Sequence, residues 1–350
     1  MKRQDYDLAF MLRYENVAWY EEGQVKILDR RVYPTEVRFV TCSNHQEVAQ
    51  AITDMVTQSA GPYTAAGMGM ALAAHECKHM KEEEMWHYLN TAAHTLSHAR
   101  PTTTSRMMQV TQGCLEAAQK AHQEGIPLDD AIFQRTIESL NKRYEKVDVV
   151  ASHLVGLFPN DGKVMTQCFG ETIVGMMLRR AKEKNNPIKL FVPETRPYLQ
   201  GARLTASVAV DQGFDTTVIT DNMPAFTMVT KKIDLFTSAA DVICLDGHIV
   251  NKIGTYQIAI SAKYHGIPYF VTGFPDQGHP SIDTVTIEER DPQQVLEARG
   301  IQNTLKGVKG YYPSFDITPP HLVSGVVTDK GVFTPYNLED YFNQGEAIHY

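Results

Sequence analysis

The sequence predicts an α/β protein: a small N-terminal antiparallel sheet plus helices, followed by a Rossmann-like domain built on a parallel sheet. Three observations carry this. Short β-rich runs separated by turn residues occupy positions 15–42. Apolar residues then recur at three- and four-residue spacing up to about residue 145, the period of helices packed on one face. Beyond that point, β-branched apolar runs alternate with helical ones across short loops, as in strands joined by crossover helices. A chain of 350 residues divides naturally into two domains. The change of texture sets them at residues 1–148 and 149–350.

Taken in order, Val17 to Tyr20, Gln24 to Leu28 and Glu36 to Val40 read as the strands of the small sheet. In the helical stretch Val48, Ile52, Met55 and Val56 share a face, and His87 to Gln119 repeats the pattern. A helix from Leu128 to Val150 links the two domains. Strands follow at Lys163 to Gln167, Ile188 to Val192, Thr216 to Thr220, Ile233 to Ala239 and Pro268 to Thr272. The helices between them are Glu171 to Glu183, Leu199 to Gln212, Met223 to Lys231 and Thr255 to His265.

A net charge of −8 offers no electrostatic footprint for nucleic acid. An anionic substrate must then be held by a few placed groups and not by the overall field. The five cysteines are widely spaced, with no CxxC pair, which argues against a disulfide framework or a cysteine zinc site. Neither a signal-length apolar segment nor a membrane span is legible, so a cytoplasmic protein is expected. His75-Glu76-Cys77-Lys78-His79 matches the HExxH pattern of zinc proteases. Histidine is locally abundant and a strongly charged run follows, so a solvated helix face is the better reading, and no metal or other cofactor is expected.

In an open parallel sheet, ligands bind outside the carboxyl ends of the strands. The segments after four successive predicted strands carry Cys168; the run Glu194 to Arg203; Asp221 and Asn222; and Asp241 with Asn251 and Lys252. Each has a bland alternative: Cys168 as a small buried hydrophobe, Asp241 as a cap, Arg196 and Arg203 as surface charges. Their convergence on one rim is the signal. A cysteine just before a helix can have its pKa lowered by the helix dipole. Lys252-Ile253-Gly254-Thr255 lacks the upstream glycine of a phosphate-binding P-loop, but it places a lysine and free N–H groups at a helix start, where phosphate can bind.

These residues resemble a known family. The run Glu194-Thr195-Arg196-Pro197-Tyr198-Leu199-Gln200-Gly201-Ala202-Arg203-Leu204-Thr205-Ala206 is similar to a signature of methylthioribose-1-phosphate isomerases, and Asn251 to Tyr256 resembles another of their segments. Ile27 to Val37 is similar to the family's N-terminal hairpin. Ala99 to Thr102, Phe315 to Pro320 and Val326 to Gly331 match further elements, so the likeness spans nearly the whole chain. Ribose-1,5-bisphosphate isomerases and regulatory subunits of a translation-initiation exchange factor are related to this family.

The resemblance implies roles for single residues. Cys168 and Asp241 fall on the catalytic pair, and Arg100, Gln200, Asn251 and Lys252 on positions that bind the substrate or its phosphate. A substrate-binding arginine-glycine-alanine-proline motif falls on Gln58-Ser59-Ala60-Gly61, so Gln58, Ser59 and Ala60 are its counterparts although the arginine is missing. Gln167 and Phe169 stand where the family has histidine and asparagine. The implied reaction converts a 5-modified ribose 1-phosphate, methylthioribose 1-phosphate by default, into the ribulose 1-phosphate without a cofactor. The implied assembly is a homodimer. The altered motif leaves 5-deoxyribose 1-phosphate and ribose 1,5-bisphosphate as alternatives. A regulatory subunit that binds a sugar phosphate or nucleotide is the rival outside enzymes.

Overall fold

The computed structural model describes residues 2–100 and 104–343. The chain divides into two compact units, residues 1–145 and 146–350.

The first unit opens with a short helix α1 (Tyr14–Val17) and an antiparallel sheet in the order β1 (Trp19–Glu21), β2 (Gln24–Leu28), β3 (Phe39–Cys42). The predicted first strand begins late because Val17 closes α1, and the third is displaced by three residues. The cause of the displacement is Asp29. Its carboxylate accepts from the Arg31 backbone at 3.0 Å and from the Arg31 and Arg38 side chains, which keeps the intervening residues turned. Pairing with β2 resumes only at Phe39.

Helices α2 (His45–Thr53), α3 (Gly61–Glu76), α4 (Glu82–Ser97) and α5 (Thr104–Glu124) follow. Asn44 starts α2 by accepting from Glu47 N, and Glu47 returns a carboxylate to Ser43 N at 2.7 Å, so two end donors are satisfied reciprocally. α3 is buried along almost its whole length. Met68 and Met70 are therefore core residues. The HExxH match dissolves here, because α3 ends at Glu76 and His79 lies beyond it. His75 Nδ1 instead meets Asp129 at 3.2 Å, and Glu76 holds His45 and Tyr88.

The long helix α6 (Leu128–Val155) carries the chain into the second unit. There β4 (Lys163–Met165), α7 (Thr172–Glu183), β5 (Lys189–Pro193), α8 (Ala206–Asp211), β6 (Thr216–Ile219), α9 (Pro224–Lys231) and β7 (Leu235–Ala239) alternate as predicted. After β7 come a short β8 (Val242–Ile243), β9 (Ile249–Lys252), α10 (Thr255–Tyr264) and β10 (Tyr269–Thr272). A small hairpin, β11 (Glu297–Ala298) and β12 (Ile301–Gln302), precedes β13 (Phe315–Thr318), β14 (Gly325–Thr328) and β15 (Gly331–Phe333). The main sheet has the order β15-β14-β10-β7-β4-β5-β6, parallel except for the edge strand β15. Its core joins Met165, Phe236, Val271 and Val326 to the inner faces of the helices.

The strands after residue 272 escaped the sequence reading, and so did two features nearer the crevice. Residues 247–254, read as a loop, contain β9, which pairs antiparallel with β8 and β13 in a separate three-stranded sheet. The predicted helix from Leu199 begins instead as a π-helical turn, Gly201–Thr205. Among the described residues, no helix is long and apolar enough to cross a membrane.

Candidate active site

The strand order places the site. From β4 the chain moves outward through β5 and β6, then returns to the other side of β4 to lay down β7. The gap between β4 and β7 is thus the topological switch point, where an open α/β sheet leaves a crevice for ligand. Val164 pairs with Leu235 and Met165 with Phe236 across it. Cys168 lies three residues past β4 and Asp241 two past β7, on opposite lips of that crevice. Each is within the other's electrostatic reach.

Cys168 sits in a strained turn, with φ 58°. Its carbonyl accepts from Thr205 Oγ1 at 2.5 Å, and its neighbour Gln167 donates to Ile253 O at 3.2 Å. The Cys168 loop is thereby tied to both the π turn and the β9–α10 turn. The expectation that a helix dipole lowers the thiol pKa is corrected: burial pushes it up to about 11, with Asp241 adding to the rise and Lys252 opposing it. α7 starts only at Thr172, with buried Glu171 between it and the thiol loop, so loss of water outweighs the helix end. Asp241 is exposed at the rim. Its backbone N–H donates to Val250 O at 2.9 Å, which docks the aspartate loop onto β9.

β9 delivers Asn251 and Lys252, both buried. Asn251 Nδ2 donates to Thr255 Oγ1 at 3.1 Å, and Lys252 Nζ to Ser314 O at 2.9 Å. Gly254 then turns into α10 with φ 101°, a conformation that side chains rarely adopt. The expected free N–H groups there are taken in part. Asp316, which pairs with Asn251 across β13 and β9, accepts from Gly254 N at 2.7 Å and from Tyr256 N at 3.1 Å. Burial pushes the Asp316 carboxyl up to about 6, against the pull of those N–H groups. Ionised Asp316 grips the turn that carries Lys252, and protonation loosens that grip. kcat/KM is therefore expected to fall on the acid side with a midpoint of about 6, and Asp316→Asn to remove that limb from the pH–rate profile.

Gln200 stands at the entrance to the π turn, only 5% exposed, and its Oε1 has no hydrogen-bond partner among the described residues. A buried acceptor of this kind is costly unless a ligand donor meets it. Arg196 and Arg203 have another employment. Arg196 donates to Gln294 and Glu297 carbonyls and so ties its loop to the β11 hairpin, and Arg203 donates to the Tyr198 carbonyl at 2.7 Å within its own turn. Asp221 fixes the same loop by accepting from Thr195 N and Arg196 N.

The remaining predicted residues lie in the first unit. Arg100 is half-buried between α4 and α5, and its carbonyl accepts from Thr104 Oγ1; Pro101 and Thr102 of the same element lie outside the described residues. Gln58 is buried, Ser59 takes φ 58°, and the Ala60 carbonyl accepts from Arg143 Nη1 at 3.1 Å. Fully buried Arg30 donates to Gln58 O at 2.8 Å. Two arginines from elsewhere in the chain thus hold the backbone of a segment that has no cation of its own. Asp316 was missed as a site residue by the sequence reading. The signal available for Asp316 was its place in a family-like element.

Comparison with known proteins places the fold in a family. Residues 58–335 match the model of the Initiation factor 2 subunit family. A methylthioribose-1-phosphate isomerase of Koribacter versatilis is 34% identical over 342 residues, covering 92% of this chain and 94% of the relative. One of Roseiflexus castenholzii is 34% identical over 340 residues, covering 91% and 94%. The crystal structure of 5-methylthioribose 1-phosphate isomerase from Pyrococcus horikoshii superposes with a TM-score of 0.82 at 29% identity, over 95% of this chain and 98% of that one. The delta subunit of translation initiation factor eIF-2B from A. fulgidus gives 0.80 at 28% identity, over 94% and 99%. The chain belongs to the Initiation factor 2 subunit family and, within it, to the family of methylthioribose-1-phosphate isomerases.

Proposed function

We propose that this aldose–ketose isomerase converts methylthioribose 1-phosphate into methylthioribulose 1-phosphate, using Asp241 and Cys168. The observation that carries the reading is the placement of this pair on facing lips of the switch-point crevice, with Lys252 beside them. The names of the curated relatives support the substrate.

The chemistry needs two groups. An aldose 1-phosphate is a locked acetal, so a proton must first reach the ring oxygen to open the furanose. Asp241 supplies it. The thiolate of Cys168 then takes the proton from C2 to give the C1–C2 enol, and the thiol so formed returns a proton to C1 while the C2 hydroxyl gives its proton to the Asp241 carboxylate, which completes the ketose and restores both groups. An ordinary aspartic acid, with a pKa of about 3.9, is ionised at neutral pH and is the wrong acid for the first step. The sequence reading required a buried Asp241, whereas the residue is exposed at the open rim. The sugar itself must therefore exclude water from this carboxyl and raise its pKa on binding.

Gln58, in place of the family's arginine, favours a second reading in which the 5-substituent is smaller, as in 5-deoxyribose 1-phosphate. Ribose 1,5-bisphosphate would need extra cations for its second phosphate. Incubating the purified chain with each of the three sugar phosphates and following ketose formation tests both readings. The methylthio sugar is expected to give the highest kcat/KM. Release of no ketose from any of them would leave a regulatory binding protein.

A homodimer is part of the proposal. α9 and α10 pack side by side, with Phe226 72% exposed and Tyr264 84% exposed on them. Light scattering is expected to give twice the chain mass of 39.3 kDa, and Phe226→Lys with Tyr264→Lys to give the single mass.

A further inference from the structure

Lys252 is joined at the site by a second cation, from the segment between β10 and β13. Residues 288–290 run antiparallel to 312–314. Arg290 N donates to Tyr312 O at 3.0 Å, Ser314 N donates to Glu288 O at 2.8 Å, and Glu289 bridges Pro313. This ladder leads directly into β13, where Phe315 pairs with Lys252 of β9. Two cations therefore meet around one ring. Lys252 Nζ stands 4.6 Å from the Phe315 centroid, and the Arg290 guanidinium carbon 5.9 Å.

Arg290 is only 10% exposed along its side chain. A guanidinium that far from water, next to another cation, is costly to place. Glu288 offsets part of that cost by accepting from Arg290 Nε at 2.7 Å, and the same bond fixes the guanidinium plane. The electrostatic reach of Arg290 includes Cys168, Tyr198 and Tyr312. Three charged groups act on Cys168, namely Lys252 on β9, Asp241 after β7 and Arg290 on the paired segments before β13, and Tyr312 on those segments lies within the thiol's own reach. Lys252 and Arg290 favour its ionised form, and Asp241 opposes it.

We propose that Arg290, oriented by Glu288, is a positioning residue of the Cys168 site, its charge acting with that of Lys252 to hold a larger share of the cysteine as the reactive thiolate. The catalytic consequence rests on the isomerase reading; the effect on the thiol does not. Both follow from the thiolate being the reactive form of cysteine.

The test is the rate of iodoacetamide alkylation at Cys168, mapped by peptide mass spectrometry between about pH 7 and 10. Cys42, Cys77, Cys114 and Cys244 are buried, so the accessible signal belongs to Cys168. Arg290→Met is expected to slow alkylation about tenfold at a given pH in that range, a shift of about one pH unit in the titration. Arg290→Lys is expected to recover most of the rate, because it keeps the charge. kcat for the sugar phosphate should fall with the alkylation rate across the three proteins, and KM much less. Alkylation of a folded Arg290→Met variant at the wild-type rate overturns the proposal, even if turnover is lost, because a purely structural role predicts that pattern. Should the methionine variant not fold, Arg290→Gln retains a donor for Glu288 and is read in the same way. An alkylation shift in a chain that turns over none of the sugar phosphates supports the role of Arg290 and removes the isomerase reading.

Discussion

Asp241→Asn and Cys168→Ser are each expected to lower kcat by about three orders of magnitude, with melting temperatures close to that of the parent chain. The size follows from the roles. Asparagine has no proton to give to the ring oxygen, and the serine hydroxyl is far too weak an acid to be present as its anion at neutral pH. The small cost in stability follows from the setting. Asp241 is exposed, and the contacts recorded for the Cys168 turn run through its backbone carbonyl and through Gln167, which serine leaves in place. If the two act on one substrate as acid and base, the double variant is expected to be little worse than either single one, since a broken relay loses its second member at little further cost. Additive losses would place them in independent steps. Turnover in deuterium oxide separates the two routes for hydrogen: proton abstraction by Cys168 puts some deuterium at C1 of the product, and a direct hydride shift puts none there. Near-normal turnover in either single variant removes the mechanism.

Much of the fold that carries this candidate site was legible in the sequence, and the parts that were not have physical reasons. The alternation of strands and helices from Lys163 to Thr272 was readable because parallel strands are buried on both faces and show as short β-branched runs. Strand order was not, because pairing partners leave no mark in a single chain. The placement of β7 beside β4, which turns four loops into one crevice with Cys168 and Asp241 facing, belongs to the structure alone. β9 was missed because Ile249-Val250-Asn251-Lys252 mixes apolar and polar residues, all four of them buried, which breaks the alternation that marks a half-exposed strand. Asp316 reaches the site through β13, 60 residues from Tyr256, and Arg290 through the ladder before it, whose Ser314 is 62 residues from Lys252. Contacts of such sequence separation have no local signature. The helix-dipole argument for Cys168 failed for a related reason: it counted the nearby helix start and had no measure of burial.

Gly201→Ala is expected to damage the site severely, though less than the loss of Cys168 or Asp241, and to do so through the backbone. Gly201 opens the π turn directly after Gln200, and a Cβ built on it would stand 1.8 Å from the Pro193 carbonyl oxygen and 2.9 Å from Thr195 Oγ1. Pro193 ends β5, so the clash is with the sheet itself and no flexible side chain can relieve it. One of the two backbones must move. The π turn is the softer, since it departs from regular helix over only Gly201–Thr205. Moving it displaces Gln200 at one end and, at the other, Thr205, whose hydroxyl holds the Cys168 carbonyl at 2.5 Å. Overpacking against backbone costs about 3 kcal/mol. That corresponds to a fall of roughly 6–12 °C in melting temperature for a unit of this size. The loss of kcat/KM should be larger than that fall suggests, about 100-fold, since displacing catalytic groups by about 1 Å has an effect of that order. Calorimetry and steady-state kinetics on the same preparation check the pair of values. An alanine variant that melts with the parent and turns over at its rate would show that the approach of the π turn to β5 is not what holds Gln200 and Cys168 in place.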